Sequence, residues 1–131
     1  MKTILDNEFA TVNVHPDKKI LQHKFHKFIF GDAFREVLTK GVDAFEENHC
    51  TKWLSDDRNN SALKQEDLTW TQTIWEPRVL KAGWKYWALV MPDKTVGKMS
   101  MKGLVDHYAK VGVTVEIFDS PEKGMAWLES K

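Results

Sequence analysis

The sequence predicts an α/β fold, because short strand-like runs alternate with helix-like runs along most of its length. Residues 86–91 are continuously apolar, which is typical of a strand covered on both faces in the middle of a sheet. Residues 34–45 instead carry apolar side chains three and four positions apart, as one face of an amphipathic helix does. A five-stranded, mainly parallel sheet with an antiparallel first strand and about four helices accounts for this order.

The first two predicted strands are residues 10–15 and 19–29. Residues 15–18 between them include histidine, proline and aspartate, which favour a tight turn, so the two strands should pair as an antiparallel hairpin. The first helix then begins with Asp32 as its N-cap and ends near Asn48.

The second half of the chain continues the alternation. Residues 52–55 form the third strand, and a helix follows over about residues 65–82. Pro77 lies inside this helix and removes a backbone donor, which predicts a kink near residues 73–76. The remaining predicted elements are a strand at 86–91, a helix at 100–110, a strand at 113–118 and a last helix capped by Ser120.

Length and composition predict a single domain over residues 1–131 and restrict its partners. The 19 basic residues balance the 19 acidic ones, so the chain lacks the basic footprint of a nucleic-acid-binding protein. It contains no run of about 18 apolar residues, and we therefore expect no membrane insertion. Cys50 is the only cysteine and no signal-like segment is evident, which together predict a cytoplasmic location.

No motif predicts a cofactor, a metal site or a catalytic centre. The five histidines and Cys50 lack the spacing of zinc ligands, and the glycines form no phosphate-binding motif. Asp56 and Asp57 form an acidic pair, but the adjacent Arg58 stabilises ionised carboxylates and so opposes acid–base catalysis. We therefore expect a protein that is not an enzyme and that holds no cofactor and no metal.

The candidate site is the polar segment after the third strand. In open α/β sheets, ligands and partners bind at the carboxyl ends of the strands. The alternative is a solvated turn, in which Arg58 pairs locally with a carboxylate and contributes little. The candidate partner-binding or ligand-binding residues are Asp56, Asp57, Arg58, Asn59, Ser61, Trp70 and Trp75.

The connections between the strands also predict a homodimer. If neighbouring strands follow chain order, right-handed crossovers place every crossover helix on one face of the sheet. The opposite face must then be polar, be covered by the hairpin, or form a subunit contact, and an uncovered apolar face usually marks association.

The order of elements resembles the SpoIIAA-like fold of STAS domains. Four local runs are similar to uncharacterised bacterial proteins of STAS/CRAL-TRIO type: KWLSDDRN at 52–59, WEPR at 75–78, MSM at 99–101 and FDSPE at 118–122. The resemblance covers about residues 9–128. It implies a SpoIIAA-like β-α superhelix and a non-enzymatic binding or regulatory protein that meets a protein partner in signalling or partner switching.

The resemblance also directs attention to the turn after the third strand. In anti-sigma-factor antagonists of this fold, a serine in an Asp-Ser-x-Gly-type turn is phosphorylated, and the same turn docks on a kinase partner. The matching turn here lacks the Ser-x-Gly element; Ser55 precedes the acids and Ser61 follows them. The resemblance therefore implies docking through this turn, without a matching phosphorylation site.

A carrier of a small apolar or lipid-like ligand is the second hypothesis. It rests on the six tryptophans, the kink expected at Pro77 and a looser likeness to CRAL-TRIO lipid carriers. Such a carrier needs a concave, mostly apolar cavity of some hundreds of Å³, which we would expect beside Trp70 and Trp75.

Overall fold

The computed structural model describes residues 1–60, 62–92 and 98–131, with the backbone alone for residues 98–102. The strands are β1 (Lys2–Asp6), β2 (Ala10–His15), β3 (Ile20–Phe25), β4 (Lys52–Asp56), β5 (Tyr86–Val90) and β6 (Thr114–Phe118). The helices are α1 (Gly31–Glu47), α2 (Gln65–Trp70), a π-helical turn (Thr71–Trp75), α3 (Glu76–Lys81), α4 (Lys98–Lys110) and α5 (Pro121–Glu129). Because α2, the π-helical turn and α3 are continuous, they form one irregular helix, and the described residues contain four helical units.

The strands form one mixed sheet in the order β1-β2-β3-β4-β5-β6. The first three strands pair antiparallel, and the last four pair parallel. The α/β class and the antiparallel hairpin are therefore confirmed, but the described part of the sheet has six strands instead of five. The additional strand is β1. It pairs with β2 through a register shift between Thr3 and Leu5, which interrupts the apolar alternation that would have revealed it.

Two apolar cores lie on opposite faces of the sheet. The larger core joins α1, the π-helical turn, α3 and α4 to one face, around the buried ring of Trp53. The smaller core joins α5 to β4, β5 and β6 on the other face, through Leu54, Ala88 and Leu128. The three crossover connections therefore share a face, as predicted, and the last helix covers half of the opposite one.

The remainder of the second face is polar, not apolar. Ala10, Val12 and Val14 of β2 belong to the larger core, so the alternating side chains of the same strand face the other way. Ile20 of β3 also faces this side and is buried in the smaller core, and the other side chains of β2 and β3 on this face are Thr11, Asn13, His15, Gln22 and Lys24. The argument for a homodimer through an uncovered apolar sheet face does not hold, because this face is polar where α5 does not cover it.

Helix α1 lies unusually close to the sheet at one glycine. A Cβ atom at Gly41 would stand 2.7 Å from Cη2 of Trp53, which is closer than any Cβ contact allows. Only glycine therefore permits α1 to rest directly on this buried indole, and the helix backbone can approach β4.

The helix boundaries follow local chemistry with one exception. The Ser120 hydroxyl accepts the Lys123 N–H, so the predicted cap of α5 is confirmed. The irregularity expected from Pro77 is the π-helical turn, whose last hydrogen bond runs from the Glu76 N–H to the Thr71 carbonyl. Asp32 is not an N-cap, because Phe30 occupies that position and offers no capping side chain.

Within the described ranges, none of the helices is both long enough and apolar enough to cross a lipid bilayer.

Candidate functional site

The candidate site lies at the carboxyl edge of the parallel strands. β3, β4 and β5 end side by side, and the segment after β4 begins with Asp57, whose N–H donates to the Val90 carbonyl at 3.0 Å. The predicted polar segment is described as far as Asn60. Ser61 lies outside the described residues.

Asp56 and Arg58 form a local ion pair at this edge. Nε and Nη2 of Arg58 each donate to a different oxygen of the Asp56 carboxylate at 2.8 Å. The Asp56 side chain is buried, whereas the Arg58 side chain is 37% exposed. Hydrogen bonding to Asp56 raises the pKa of the Arg58 guanidinium. The alternative interpretation, local pairing of Arg58, therefore describes this contact, although the carboxylate is buried and not solvated.

Asp57 ends a hydrogen-bonded chain that reaches into the core. Nε2 of the buried His23 lies 2.8 Å from Oδ1 of Asp57, and Nε1 of Trp53 lies 2.9 Å from Nδ1 of His23. An indole N–H only donates, so Nδ1 accepts and the ring proton resides on Nε2, which donates to Asp57. Both ring nitrogens are occupied. The His23–Asp57 pair therefore lacks the free nitrogen that a general base presents to a substrate.

The role of His23 was not predicted, although the alternation of apolar residues along β3 indicates that its side chain is buried. Leu21, His23 and Phe25 alternate along β3 and all face the larger core. A histidine at an apolar position is expected to have hydrogen-bond partners nearby, because buried polar groups are almost always paired.

Two asparagines join the segment after β4 to the segment after β3. Nδ2 of Asn59 donates to the Phe25 carbonyl at 3.3 Å. Oδ1 of the buried Asn60 accepts the Ile29 N–H, also at 3.3 Å. These bonds replace the strand ladder after the strands have ended, so the two segments are held together beyond the sheet.

A buried carboxylate holds the two nearby helix starts together. Oδ2 of Asp67, which is 2% exposed, accepts the Gly31 N–H at 2.9 Å. The Arg35 guanidinium lies over the ring of Trp70, with Nε 3.4 Å from Asp67. Asp67 of α2 thus caps α1 from another element, and its negative charge complements the helix dipole.

The two tryptophans predicted for the site occupy different environments. Trp70 is half-buried against Phe34 and Arg35. Trp75 is 7% exposed, and its Nε1 donates to the Leu38 carbonyl at 3.0 Å. Trp75 therefore lies in the core and offers no exposed surface to a partner.

An exposed apolar cluster next to this turn was not predicted. Phe28 and Phe30 are 51% and 49% exposed, and their ring centroids are 5.7 Å apart. Leu63 is also exposed, and Nζ of its neighbour Lys64 lies 3.8 Å from the centre of the Phe30 ring. We call Phe28, Phe30 and Lys64 the aromatic patch. The predicted strand ended at residue 29, so it included Phe28 but not Phe30, and the prediction did not connect the two rings.

A second buried polar group lies away from this edge. The Tyr108 hydroxyl donates to a carboxylate oxygen of the buried Glu76 at 3.3 Å, between α3 and α4. Burial, and then the charge and hydrogen bond of Glu76, raise the pKa of Tyr108 well above its ordinary value.

Across the described residues, no group of three or more His, Cys, Asp or Glu side chains is placed to hold a metal ion.

Comparison with known proteins identifies no relative. No family description matches the chain, and neither a curated protein nor a solved structure is significantly similar to it. The resemblance to SpoIIAA-like proteins therefore stays a prediction from the sequence.

Proposed function

We propose that this protein is a non-enzymatic binding or regulatory protein of SpoIIAA-like type, which recognises a protein partner through the turn after β4. Signalling or partner switching in the cytoplasm is the setting that the sequence resemblance implies. One observation carries the proposal: the turn exposes polar groups to solvent while buried side chains hold it from inside.

The exposed groups of the turn are suited to recognition. The Arg58 side chain is 37% exposed, that of Asp57 is 22% exposed, and Asn59 is exposed. Asp57 and Arg58 supply an acceptor and donors of opposite charge, and Asn59 adds an amide. Such a mixed polar set gives directional contacts, and arginine is enriched at protein interfaces.

The buried contacts hold the turn in one conformation before a partner binds. Asp56 holds Arg58, His23 holds Asp57, and the Ile29 N–H holds Asn60, each at a distance within hydrogen-bond range. A turn that is already ordered loses little conformational entropy when a partner binds, so more of the contact energy appears as affinity.

The carrier hypothesis has less support. Trp75 is surrounded by Trp53, Trp84 and Leu38, with ring centroids 5.1 and 5.5 Å from the two indoles. The space beside Trp75 is therefore filled by side chains. An open depression of about 390 Å³ lies at the amino edge of the sheet, but lysines and acids line it, which does not suit an apolar ligand.

The test removes the Asp56–Arg58 ion pair without leaving either of its charges buried alone, and it keeps Asp57. In the double variant Asp56→Asn/Arg58→Gln, amide groups replace both members of the ion pair and can still hydrogen-bond. The tagged wild type and variant are used in pull-downs from extract of the source cell, with captured proteins quantified by mass spectrometry. We expect the variant to lose the partner that the wild type enriches.

The matched control is Lys18→Gln/Glu129→Gln at the amino edge. It also removes one ion pair, whose members are 43% and 42% exposed. The control should capture the same partner as the wild type. If the turn variant retains every partner at wild-type level, the turn after β4 is not the binding surface.

A further inference from the structure

The aromatic patch contains two phenylalanines that are each about half exposed. Ile29, between the two phenylalanines, is only 1% exposed, so the segment alternates as a strand does and turns both rings outward. The rings of Phe28 and Phe30 pack against each other, with centroids 5.7 Å apart, and each leaves about half of its surface exposed. Aromatic rings bury about 150–250 Å² each at contacts, so two half-exposed rings leave roughly 200 Å² of apolar area uncovered.

The patch is held rigidly on both sides. The Ile29 N–H donates to Asn60, and the Gly31 N–H donates to the buried Asp67. Hydrogen bonds from this segment to Asn60 and Asp67 therefore position Phe28 and Phe30, and covering the two rings requires little further ordering.

The charges around the patch indicate what covers it. Lys64 lies over Phe30 and has no carboxylate partner in the described structure. Asp32 and Glu66, in the first turns of α1 and α2, are exposed carboxylates two residues from Phe30 and Lys64. An anionic membrane would select a cluster of basic residues, whereas this rim carries both signs.

A rim that carries both positive and negative charges can pair with the same rim on a second copy of the chain. In a twofold contact the same patch meets itself, so the apolar centres face each other and each ammonium group can meet a carboxylate of the other copy. The chain has 19 residues of each charge, so two copies experience no net long-range repulsion.

We propose that the aromatic patch is a self-association surface, which a second copy of this chain covers with its own Phe28 and Phe30. The patch is small beside the roughly 800 Å² per partner of a standard interface, so the dimer is weak, with Kd on the order of 100 μM. Asn59 and Asn60 join the turn after β4 to the segment that carries the patch. Dimerisation therefore places two copies of the turn on one composite surface.

The experiment is sedimentation velocity over a series of protein concentrations, from about 5 to about 500 μM. We expect the weight-average mass of the wild type to rise from the 15.2 kDa of the monomer towards twice that value. The double variant Phe28→Ser/Phe30→Ser should dimerise much more weakly, with Kd raised by at least about tenfold. Both substitutions are at exposed positions, and urea unfolding verifies that the variant is folded.

Ile74→Ser is the matched control, because Ile74 is 60% exposed on the π-helical turn, outside the patch. It removes an exposed apolar side chain and should dimerise as the wild type does. Lys64→Glu is a second probe that leaves both rings in place, and it should weaken the dimer by removing the ammonium group from the rim.

Two results overturn the proposal: a wild type that stays monomeric over the whole series, or a phenylalanine variant that dimerises like the wild type. A monomeric wild type that binds anionic vesicles through Phe28 and Phe30 would instead assign the patch to a lipid surface. The Asp56→Asn/Arg58→Gln variant should still dimerise, so a failure of the proposed partner binding is distinguishable from a failure of this inference.

Discussion

The two edges of the sheet are held together in different ways. At the amino edge the backbone provides the contacts: the Lys19 carbonyl accepts the N–H groups of Thr51 and Lys52, and the Thr51 carbonyl accepts those of Lys85 and Tyr86. At the carboxyl edge similar backbone bonds run from Asp57 to Val90 and from Met91 to Phe118, but buried polar side chains also connect the segments that follow the strands. Backbone contacts tolerate most substitutions, whereas the side-chain contacts require particular residues.

The exposed groups of the two edges differ as well. The amino edge carries a solvated ion pair between Lys18 and Glu129 beside an open depression. The carboxyl edge carries a pre-ordered turn and the aromatic patch. The specific buried support is therefore found at the edge that carries the proposed binding turn, and such support keeps a binding site in one geometry.

The largest expected effect on stability is that of His23→Leu at the carboxyl edge. The variant leaves the Trp53 indole N–H without a buried acceptor and Asp57 without a donor, so we expect a loss of about 3 kcal/mol in the free energy of unfolding. Urea denaturation measures it. His26→Leu is the control, because His26 bonds Thr11 at an exposed position and should change stability by about 0.5 kcal/mol or less. Equal losses in both variants would show that the chain from Trp53 to Asp57 does not stabilise the edge.

Cys50 gives a prediction of pH dependence at the amino edge. Burial raises the pKa of its thiol from 9.0 to about 11, although the charge of Lys19 acts in the opposite direction. The folded state holds this proton more tightly than the unfolded state, so the stabilisation is complete below pH 9 and is lost as pH rises towards 11.

The difference in unfolding free energy between wild type and Cys50→Ala isolates this effect from the other groups that titrate in alkali. We expect the difference to fall by about 2 kcal/mol across that interval. In the native protein at pH 8 a thiol reagent should react with Cys50 far more slowly than in urea. A difference that does not vary with pH would mean that the native thiol is not protected by burial.

Asp67→Ala tests the cap that one helix provides to another. The substitution leaves the Gly31 N–H unpaired and removes a negative charge from the N-terminus of α1, so we expect a loss of about 1.5 kcal/mol. Glu66→Ala is the matched control: Glu66 is an exposed acid in the same turn of α2, and its loss should cost much less. If both variants unfold at the same urea concentration, the bond from Gly31 to Asp67 does not contribute measurably.

The sequence predicted those elements whose signal is local. The apolar run of β5, the amphipathic face of α1 and the Ser120 cap each depend on neighbours within a few positions. Strand β1 was missed because Ile4 and Leu5 are adjacent where alternation is interrupted. The irregularity at the π-helical turn was predicted from Pro77, because proline lacks a backbone N–H and so disturbs the helix in which it lies.

The candidate site was predicted in position but not in structure. The carboxyl edge follows from strand direction alone, and Asp56 to Asn60 lie there. The contacts that fix the site join residues distant in the sequence: Asp57 is 34 positions from His23, and Asp67 is 36 from Gly31. No local pattern identifies such a partner. Asp32 appeared to be the cap of α1 because nothing near it in the chain indicates that Asp67 takes this role.

The smallest expected effect lies at the amino edge, in Lys18→Ala. Nζ of Lys18 is 3.2 Å from the Glu129 carboxylate, but both side chains are about two-fifths exposed, so water and salt screen the pair. We expect a change of about 0.5 kcal/mol or less in the free energy of unfolding, and one that shrinks further in high salt. Arg58→Ala, measured beside it, removes the donor from the buried Asp56 carboxylate and should cost several times more. Each variant deletes one cation from an ion pair, so a similar small change in both would mean that burial of Asp56 does not distinguish the carboxyl edge from the amino edge.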